Sequence, residues 1–203
     1  MDKTVQAYDK HARSWIAQHS EPFFWADEIG WLRAALPRPS RLIEFGVGSG
    51  RDGVTLARDY EYTGLDASAS MLAIARERMP HLRLWHMDMR TMRLPEGVKP
   101  FDGFWAVAVL LHIPEREIDS VLDNMRAMLS AGAMGFIAIQ DGQGAEERTS
   151  ADVPSARFFQ YWDRVDFTTV LEQHGFSILR YGFRPDAEGV TKGWHRFLVR
   201  VAG

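Results

Sequence analysis

The stretch Arg41-Leu-Ile-Glu-Phe-Gly-Val-Gly-Ser-Gly-Arg-Asp-Gly53 decides the fold class of this protein. An apolar run enters a cluster of glycines and a helix-like segment follows, which is how open α/β sheets form ligand sites at the carboxyl ends of their strands. Gly48, Gly50 and Gly53 match the dinucleotide-binding spacing G-x-G-x-x-G. An overlapping pattern, E-x-G-x-G-x-G beginning at Glu44, places an acid at the same loop and favours a different ligand.

Outward from this loop, short apolar runs alternate with helix-like segments, the pattern of a mostly parallel sheet covered by helices. The runs predicted as strands are Arg41–Phe45, Tyr62–Leu65, Leu82–His86, Phe101–Val109, Met134–Gln140, Phe176–Phe183 and Trp194–Val201. The segments predicted as helices between them are Asp52–Asp59, Ser68–Met79, Pro114–Leu129 and Asp166–His174. The sequence therefore predicts an α/β fold with a doubly wound, seven-stranded, mostly parallel sheet of Rossmann-like type.

Both ends of the chain depart from this alternation. The last two strand runs are joined by the turn-rich stretch Arg184–Gly193 without a helix, so they are predicted to pair as an antiparallel hairpin. The N-terminal segment predicts two aromatic-rich helices, Val5–His19 and Phe23–Leu36, separated by Glu21-Pro22. Their rings either pack on the sheet or cover a pocket. We predict one domain, 1–203, made of a helical lid, 1–40, and a Rossmann-like core, 41–203.

Composition and charge exclude several classes of protein. The chain has 203 residues, 46% hydrophobic and 25% charged, as expected for one globular domain. Without cysteine it has no disulfide, thiolate metal site or cysteine nucleophile, and we predict no metal. Its 24 basic residues are scattered among 27 acidic ones, which argues against a nucleic-acid partner. No apolar run approaches the roughly 18 residues of a membrane span and the start lacks an export signal, so we expect a cytoplasmic protein without membrane contact.

Glu44 distinguishes between the ligands that the glycine loop could hold. It is an acid in an otherwise apolar strand, and a buried carboxylate needs a cation or hydrogen-bond donors. The same carboxylate would repel a pyrophosphate, whereas it would attract a ligand that bears an ammonium and a sulfonium group. S-adenosylmethionine is such a ligand. The alternative explanation is that Glu44 pairs with a nearby arginine.

Two further acids follow the next two predicted strands. Asp66 lies where a carboxylate can accept hydrogen bonds from both hydroxyls of a ribose. Asp88 can accept from the exocyclic amine of an adenine, and Met89 can offer its backbone N–H and its side chain to the ring. S-adenosylmethionine and nicotinamide dinucleotides share the ribose, so Asp66 alone does not separate them. The occurrence of an acid at three successive strand ends favours the methyl donor.

Together these motifs resemble those of class I S-adenosylmethionine-dependent methyltransferases, and more closely those of the small bacterial methyltransferases related to tellurite resistance. The matching segments are Tyr8-Asp9, Leu42–Asp52, Gly64–Ser68, His86–Asp88, Phe101–Pro114, Arg157–Tyr161 and Gly175-Phe176. The resemblance covers most of the chain and is specific for fold and cofactor, but not for substrate. It implies in-line transfer of a methyl group from S-adenosylmethionine to a small-molecule acceptor.

The resemblance also implies roles for individual residues in the cofactor site. Those expected to hold the methionine part are Glu44, Gly46, Gly48 and Gly50, with the backbone around Ala106 at its amino-acid end. Those expected to hold the ribose and the adenine are Asp66, Asp88 and Met89. Others expected to lie next to the cofactor are Tyr8, Phe45, Arg51, Asp52, Ala67 and Met71. The fourth strand is apolar at Ala106–Ala108, where the family often has small polar residues, which leaves contacts there to the backbone.

The acceptor side is less well defined by the sequence. Methyl transfer from a sulfonium releases a neutral thioether, so alignment and desolvation can supply most of the catalysis and a general base is optional. His112, just beyond the fourth predicted strand, is the candidate base if its pKa is ordinary, although it could equally cap or pack against the following helix. The residues expected to contact the acceptor are Trp15, Asp141, Arg157 and Tyr161. Arg157 suits a carboxylate or another oxyanion.

Two other functions are compatible with the sequence. The G-x-G-x-x-G spacing admits a nicotinamide-dependent oxidoreductase, NAD(P) being its cofactor. The same fold also admits a protein that binds S-adenosylmethionine but uses it for chemistry other than methylation. The sequence does not identify the acceptor, and it is compatible with a monomer or a homodimer.

Overall fold

The computed structural model describes residues 2–19, 24–185 and 192–203. The helices are α1 Lys3–Gln18, α2 Ala26–Ala35, α3 Gly53–Leu56, α4 Ala69–Arg78, α5 Glu115–Ala127 and α6 Arg164–Gln173. The strands are β1 Arg41–Phe45, β2 Glu61–Asp66, β3 Arg83–His86, β4 Phe101–Val107, β5 Leu129–Gln140, β6 Ala145–Arg148, β7 Arg157–Gln160, β8 Phe176–Arg184 and β9 Trp194–Val201. A short 3-10 helix, Leu110–His112, follows β4.

Most of the strands form one seven-stranded sheet in the order β3-β2-β1-β4-β5-β9-β8. Strands β1 to β5 are parallel, and β9 is antiparallel to both of its neighbours. The predicted mostly parallel sheet and its antiparallel C-terminal hairpin are therefore confirmed. The strand order reverses between β1 and β4, so the carboxyl ends of these two strands flank the crevice where such sheets bind ligands.

Successive side chains point to opposite faces of the sheet and form two cores. On one face, Ile43 and Phe104 pack with the apolar sides of α5 and α6. On the other face, Leu42 and Trp105 pack with α2, α3 and α4. Because helices cover both faces, the central strands are buried on both sides, which explains their nearly continuous apolar sequence.

The second N-terminal helix, α2, is part of this layered structure. Trp25 and Leu32 are buried in the core beneath it. Its Glu28 is fully buried and accepts hydrogen bonds from Arg184, at 2.8 Å, and from Arg196. These contacts fasten α2 to β8 and β9, so α2 does not lie where a lid would lie.

The first helix, α1, lies beside the carboxyl ends of the parallel strands. Its Asp9 accepts a hydrogen bond from the Ser68 hydroxyl at 2.6 Å, just after β2. Its N-terminal cap, Asp2, forms an ion pair with Arg90 at 2.9 Å, just after β3. α1 is therefore the part of the predicted lid that borders the crevice.

Strands β6 and β7 form a separate antiparallel ribbon in which Arg148 is opposite Arg157. The sequence analysis did not predict it, because Ala145–Arg148 contains two acids and an arginine and has little β-propensity. The ribbon packs against the 3-10 helix, where Nδ1 of His112 lies 2.7 Å from the carbonyl oxygen of Phe158. Tertiary contacts rather than local preference therefore stabilise these strands.

Two strand boundaries differ clearly from the predicted ones. β4 ends at Val107 instead of Val109, because Ala108 adopts a φ of 54° and the chain then turns into the 3-10 helix. β5 begins at Leu129, five residues before the predicted start at Met134. Its extra residues do not continue the apolar run, since part of this segment is exposed at the edge of the ladder with β4.

Some predicted features lie outside the described residues. They are the break at Glu21-Pro22, the start of the predicted helix Phe23–Leu36 and the middle of the stretch Arg184–Gly193. Within the described residues, no helix is both long and apolar enough to cross a membrane. In the same part of the chain, no group of three or more histidine, aspartate or glutamate side chains is arranged to hold a metal ion.

Candidate cofactor and acceptor site

The glycine loop after β1 has glycines with two different roles. Gly46, at a φ of +74°, packs so closely that a Cβ atom there would lie 2.5 Å from Cγ2 of Val109. Gly48, at a φ of +53°, would have no heavy atom within 4 Å of an added Cβ. Gly46 is therefore required by packing, whereas Gly48 leaves open space on the side from which a ligand reaches the loop.

Glu44 is buried beside this loop, with 4% of its surface exposed. Its carboxyl group accepts a hydrogen bond from the Tyr62 hydroxyl at 2.5 Å. Burial and the neighbouring charge of Asp52 raise the pKa of Glu44 well above its usual range. The sequence analysis predicted that a buried Glu44 needs a cation or a hydrogen-bond donor, and this donor is the Tyr62 hydroxyl. The nearby Arg51 pairs with Asp52 instead.

Arg51 and Asp52 form an ion pair with each other. Nε and Nη2 of Arg51 donate to the two carboxylate oxygens of Asp52, at 2.8 and 3.1 Å. Asp52 also accepts a hydrogen bond from the indole of Trp105 at 3.2 Å. Trp105 is the residue of β4 that lies beside Glu44 of β1. The pair lies next to the loop as expected, and it leaves Glu44 without an arginine ligand among the described residues.

Asp66 joins the two loops at the carboxyl ends of β1 and β2. Its carboxylate accepts hydrogen bonds from the backbone N–H of Gly48, at 2.7 Å, and from that of Ser68, at 2.8 Å. Burial raises the pKa of Asp66 above its usual value. Each carboxylate oxygen has two lone pairs, so Asp66 can still accept from a ligand hydroxyl while it holds both loops.

The residues around Asp66 pack beneath α1. Ala67 follows it, and its carbonyl oxygen lies 2.9 Å from Nε2 of His86. Met71 is buried in a small apolar cluster to which Tyr8 and Trp15 of α1 contribute. The rings of Tyr8 and Trp15 meet edge to face with centroids 6.0 Å apart, so they share one helix face as their spacing predicts.

The predicted adenine residues are held by an ionic network and by the core. Asp88 accepts a hydrogen bond from the backbone N–H of Arg90 at 2.9 Å, and the Arg90 guanidinium bonds to Glu117 at 2.7 Å. The Met89 side chain is buried in the core, so only its backbone is free to act as predicted. Ala106 and Phe45 are likewise buried in the strands with their side chains in the core.

His112 lies at the end of a chain of polar contacts between α1 and the ribbon. A carbonyl oxygen only accepts, so Nδ1 carries the proton in the bond to Phe158, and Nε2 accepts from the Tyr8 hydroxyl at 2.9 Å. Burial lowers the pKa of His112 to about 4. The condition set for His112 as a base, an ordinary pKa, is therefore not met, because the imidazole is withdrawn from water and stays neutral at pH 7.

Arg157 is the third residue in this series of polar contacts. Nη1 donates to the Tyr8 hydroxyl at 3.3 Å and Nη2 donates to the Ser150 hydroxyl at 2.7 Å. Only 7% of the residue is exposed, and its Nε has no hydrogen-bond partner among the described residues. The structure thus brings Tyr8, His112 and Arg157 together, although they are far apart in the sequence.

Two of the remaining predicted acceptor residues, Tyr161 and Asp141, have hydrogen-bond partners within the protein. The Tyr161 hydroxyl donates to Glu146 at 2.5 Å, and burial and this bond raise the pKa of Tyr161 to about 12. Asp141 lies 2.8 Å from Nε2 of His195, whose Nδ1 is 3.0 Å from the Tyr181 hydroxyl. Both residues border the ribbon, and their contact with an acceptor stays a prediction.

Sequence analysis missed Tyr62, which supplies the only hydrogen bond to Glu44 among the described residues. The strand register explains its position, because Gly64 lies directly opposite Glu44 and Tyr62 is two residues earlier on the same face. A Cβ on Gly64 would lie 2.9 Å from the Tyr62 hydroxyl, and one on Gly53 would lie 2.5 Å from it. These two glycines could have indicated a large side chain next to Glu44, since a residue without a side chain leaves room for a large neighbour.

Comparison with known proteins shows which proteins this chain is similar to. Residues 42–132 match the family model described as a methyltransferase domain. A trans-aconitate 2-methyltransferase of Variovorax paradoxus (strain S110) is 34% identical over 173 residues, which are 80% of this chain and 62% of that protein. The chain spans about half the length of the curated relatives it matches, 62%, 56% and 43% for three of them.

Solved structures match the whole fold at low sequence identity. The N-methyltransferase NodS of Bradyrhizobium japonicum WM9, in complex with S-adenosyl-L-homocysteine, has a TM-score of 0.72 at 16% identity and covers 100% of both chains. The 1,6-didemethyltoxoflavin-N1-methyltransferase of Burkholderia thailandensis, with 1,6-didemethyltoxoflavin and S-adenosylhomocysteine bound, has a TM-score of 0.72 at 17% identity over 98% of this chain and 88% of that one. The chain therefore shares the Rossmann-like fold of these solved structures.

Proposed function

We infer that this chain, which carries a methyltransferase domain in the class I Rossmann-like fold, is an S-adenosylmethionine-dependent methyltransferase that acts on a small-molecule acceptor. The observation that carries this proposal is the charge at the glycine loop. Glu44, Asp52 and Asp66 interact electrostatically there, whereas Arg51 is paired with Asp52 and the Arg78 guanidinium donates to the Ser49 hydroxyl of the loop. A loop with this excess of carboxylates favours a cationic ligand over a phosphate.

The residues of the loop fit S-adenosylmethionine. Glu44 is buried with one phenol donor, so a ligand ammonium would complete its hydrogen bonding and favour its ionised form. Asp66 is held by two backbone N–H groups and accepts ribose hydroxyls through its remaining lone pairs. Asp88 and the backbone of Met89 bind the adenine, and the backbone near Ala106 binds the amino-acid end. When bound, S-adenosylmethionine supplies a methyl group on a sulfonium whose leaving group is a neutral thioether.

On the acceptor side, the chain of Tyr8, His112 and Arg157 orients and desolvates the acceptor. The neutral His112 ring accepts from Tyr8 and so fixes the direction of the phenol O–H. As a general base, His112 would have to exchange this bond for one to the acceptor, and a pKa of about 4 makes it a weak base at neutral pH. We propose that His112 positions Tyr8 and that the acceptor provides its own lone pair.

The nicotinamide alternative has less support. Gly53, the third glycine of the G-x-G-x-x-G spacing, is explained by its close approach to the Tyr62 hydroxyl, which needs no pyrophosphate. A pyrophosphate at the loop would also meet the charges of Asp52 and Asp66. The relative named trans-aconitate 2-methyltransferase and the solved N-methyltransferase support methylation of a small molecule instead.

Several finer predictions belong to the same proposal. The resemblance to the tellurite-resistance group is supported by Tyr8-Asp9, since both side chains connect α1 to the crevice. A single domain with α1 as its lid is supported by the same contacts. The cytoplasmic location, the absence of a nucleic-acid partner and the monomeric or homodimeric state rest on the sequence patterns described above.

Calorimetry with S-adenosylmethionine and S-adenosylhomocysteine tests the proposed cofactor. We expect saturable binding of both, and no binding at millimolar ligand would refute the proposal. Mass spectrometry of the products then separates methylation from other chemistry, because transfer leaves S-adenosylhomocysteine and adds one methyl group to an acceptor. Tight NADH binding, measured by fluorescence, would instead support the oxidoreductase.

A further inference from the structure

We infer that the acceptor carries a carboxylate and that the Arg157 guanidinium holds it. This inference rests on the proposed methyltransferase function and narrows its substrate class. Arg157 is the first residue of β7, and its guanidinium donates to the Tyr8 and Ser150 hydroxyls while its buried Nε has no hydrogen-bond partner among the described residues. No carboxylate of the described residues forms an ion pair with it.

Arg157 differs in this respect from four half-buried arginines, Arg51, Arg90, Arg184 and Arg196. Each of those pairs with a carboxylate: Arg51 with Asp52, Arg90 with Glu117, and both Arg184 and Arg196 with Glu28. A buried guanidinium that no carboxylate contacts directly is costly, since no ion pair offsets its desolvation. A ligand that supplies the anion would explain why the protein has a buried guanidinium at this position.

The nearest internal carboxylate does not occupy this position. Asp152 interacts electrostatically with Arg157, but its Oδ2 makes its closest ionic contact with Nδ1 of His19, at 3.4 Å. That same oxygen has no hydrogen-bond partner. Asp152 therefore acts on Arg157 without direct contact: it interacts with the Ser150 hydroxyl, to which Nη2 of Arg157 donates, and Nε of Arg157 has no partner among the described residues.

The surroundings of Arg157 favour a planar anion. The rings of Tyr8 and Phe159 lie on its flanks, each with its centroid 5.4 Å from the guanidinium carbon. They leave the edge of the guanidinium for hydrogen bonds, and a carboxylate matches this edge with two parallel N–H···O contacts. A phosphate dianion fits less well, because Asp152 and Asp66 both act electrostatically on the adjacent Tyr8 hydroxyl.

Arg157 is also connected to the cofactor side of the crevice. Its Nη1 bonds to the Tyr8 hydroxyl, which in turn donates to His112 at the end of the 3-10 helix that follows β4. Tyr8 packs in the cluster that contains Met71, directly after the Asp66 loop. A carboxylate on Arg157 would therefore lie in the same crevice as the proposed methyl donor.

The experiment compares the wild-type protein with Arg157→Gln, Arg157→Lys and Arg148→Gln. Arg148 is the matched control, because it lies directly opposite Arg157 in the ribbon but pairs with Glu146 at 3.9 Å. The substrates are mono-, di- and tricarboxylic acids, each tested beside its primary amide, and the readout is S-adenosylhomocysteine formation. Binding of the same compounds to the S-adenosylhomocysteine complex is followed by thermal shift.

We expect turnover or binding with at least one acid and a kcat/KM at least about tenfold lower with its amide. Arg157→Gln should raise KM for the acid by about 10–100-fold, the range for hydrogen bonds to charged groups, with Arg157→Lys intermediate. Arg148→Gln should change KM by less than about threefold. In all variants the affinity for S-adenosylhomocysteine should stay unchanged, and Arg157→Lys serves if the glutamine variant does not fold.

The inference would be overturned if acids and amides were used equally, if no acid were turned over or bound, or if KM were insensitive to Arg157. Each of these results is compatible with normal binding of S-adenosylmethionine by the wild-type protein. Failure of the proposed function itself would be seen as absence of that binding. The two failures are thus distinguishable.

Discussion

The two sides of the crevice differ in the charged groups that face it. The side formed by the ends of β1 and β2 holds Glu44, Asp52 and Asp66, with one arginine paired to one of these acids. The side formed by α1 and the ribbon holds Arg157, which disfavours a positive charge on His112 and which no carboxylate of the described residues contacts directly. A cationic donor and an anionic acceptor would each meet the opposite charge, which also orients them towards each other.

The two sides also differ in how they are held. The acidic side is built from backbone groups that are close in the sequence, such as the bonds from Gly48 and Ser68 to Asp66. The arginine side depends on side-chain contacts between distant segments, such as Tyr8 with His112. The acidic side should therefore be sensitive to backbone changes, and the arginine side to pH and to single side chains.

The largest effect is expected from a backbone change on the acidic side. Gly46→Ala should lower the free energy of unfolding by about 2–5 kcal/mol, because it adds strain at positive φ and a clash with Val109. Gly48→Ala, which meets only the strain, should cost about 1–2 kcal/mol. Urea unfolding measures both, and equal losses would contradict the distinction between a packed and an open glycine.

A pH effect is expected next, on the arginine side. The pKa of His112 falls from 6.5 to about 4 on folding, so the unfolded chain takes up a proton between these values and the folded one does not. The contribution of neutral His112 is present above pH 6.5 and is lost as the pH falls to 4, by about 2–4 kcal/mol.

His112→Gln is the matched variant for this measurement, because an amide can donate to Phe158 and accept from Tyr8 but does not titrate. The free energy of unfolding, measured in urea from pH 7 to pH 4, should fall more steeply for the wild type than for the variant. The difference isolates His112 from the acids whose pKa values are raised, since those acids are present in both proteins. Parallel curves would show that the ring is accessible to protons in the folded state.

Asp66 tests whether the acidic side binds the cofactor. Asp66→Ala should weaken the affinity for S-adenosylhomocysteine by about 1.5–3 kcal/mol, the scale of hydrogen bonds to a charged group. Asp163→Ala is the control, since Asp163 also accepts from two backbone N–H groups but caps α6 away from the crevice. Calorimetry should show a change only for Asp66, and an unchanged affinity would mean that Asp66 has no role in binding.

The smallest effect is expected from the phenol beneath the loop. Tyr62→Phe removes the donor to the buried Glu44 and should lower the free energy of unfolding by about 1 kcal/mol. Tyr60→Phe is the control, because the Tyr60 hydroxyl is buried without a hydrogen-bond partner. Its loss should leave stability unchanged or slightly higher, so an equal effect of both variants would argue against a bond between Tyr62 and Glu44.

The acidic side was largely predictable because its features are local. β1 ends at Phe45 as predicted, and the glycines that follow take the positive φ angles that only glycine adopts easily. Asp66 ends β2 and Ser68 caps α4, both close to their predicted positions. The partner of Glu44 was not predictable, because it depends on the register between β1 and β2 and on the space left by Gly64.

For the arginine side, the sequence predicted which residues belong to the site but not how they contact one another. Arg157, Tyr8 and His112 were each expected in the site, but their mutual contacts span 149 and 104 residues of sequence. The ribbon that carries Arg157 was missed, because pairing across a loop compensates for the weak strand propensity of Ala145–Arg148. The lowered pKa of His112 was missed for the same reason, since burial is a property of the packed chain.

The sequence by itself determined the sheet, its C-terminal hairpin and the acid-bearing glycine loop, since these follow from hydrophobic periodicity and from residue types at fixed spacing. Only the tertiary structure decided which groups are charged, paired or unpaired within the crevice. The physical reason is that hydrogen bonding and ionisation depend on burial and on neighbours brought together from distant segments. The unpaired guanidinium of Arg157 became visible only in that packed arrangement.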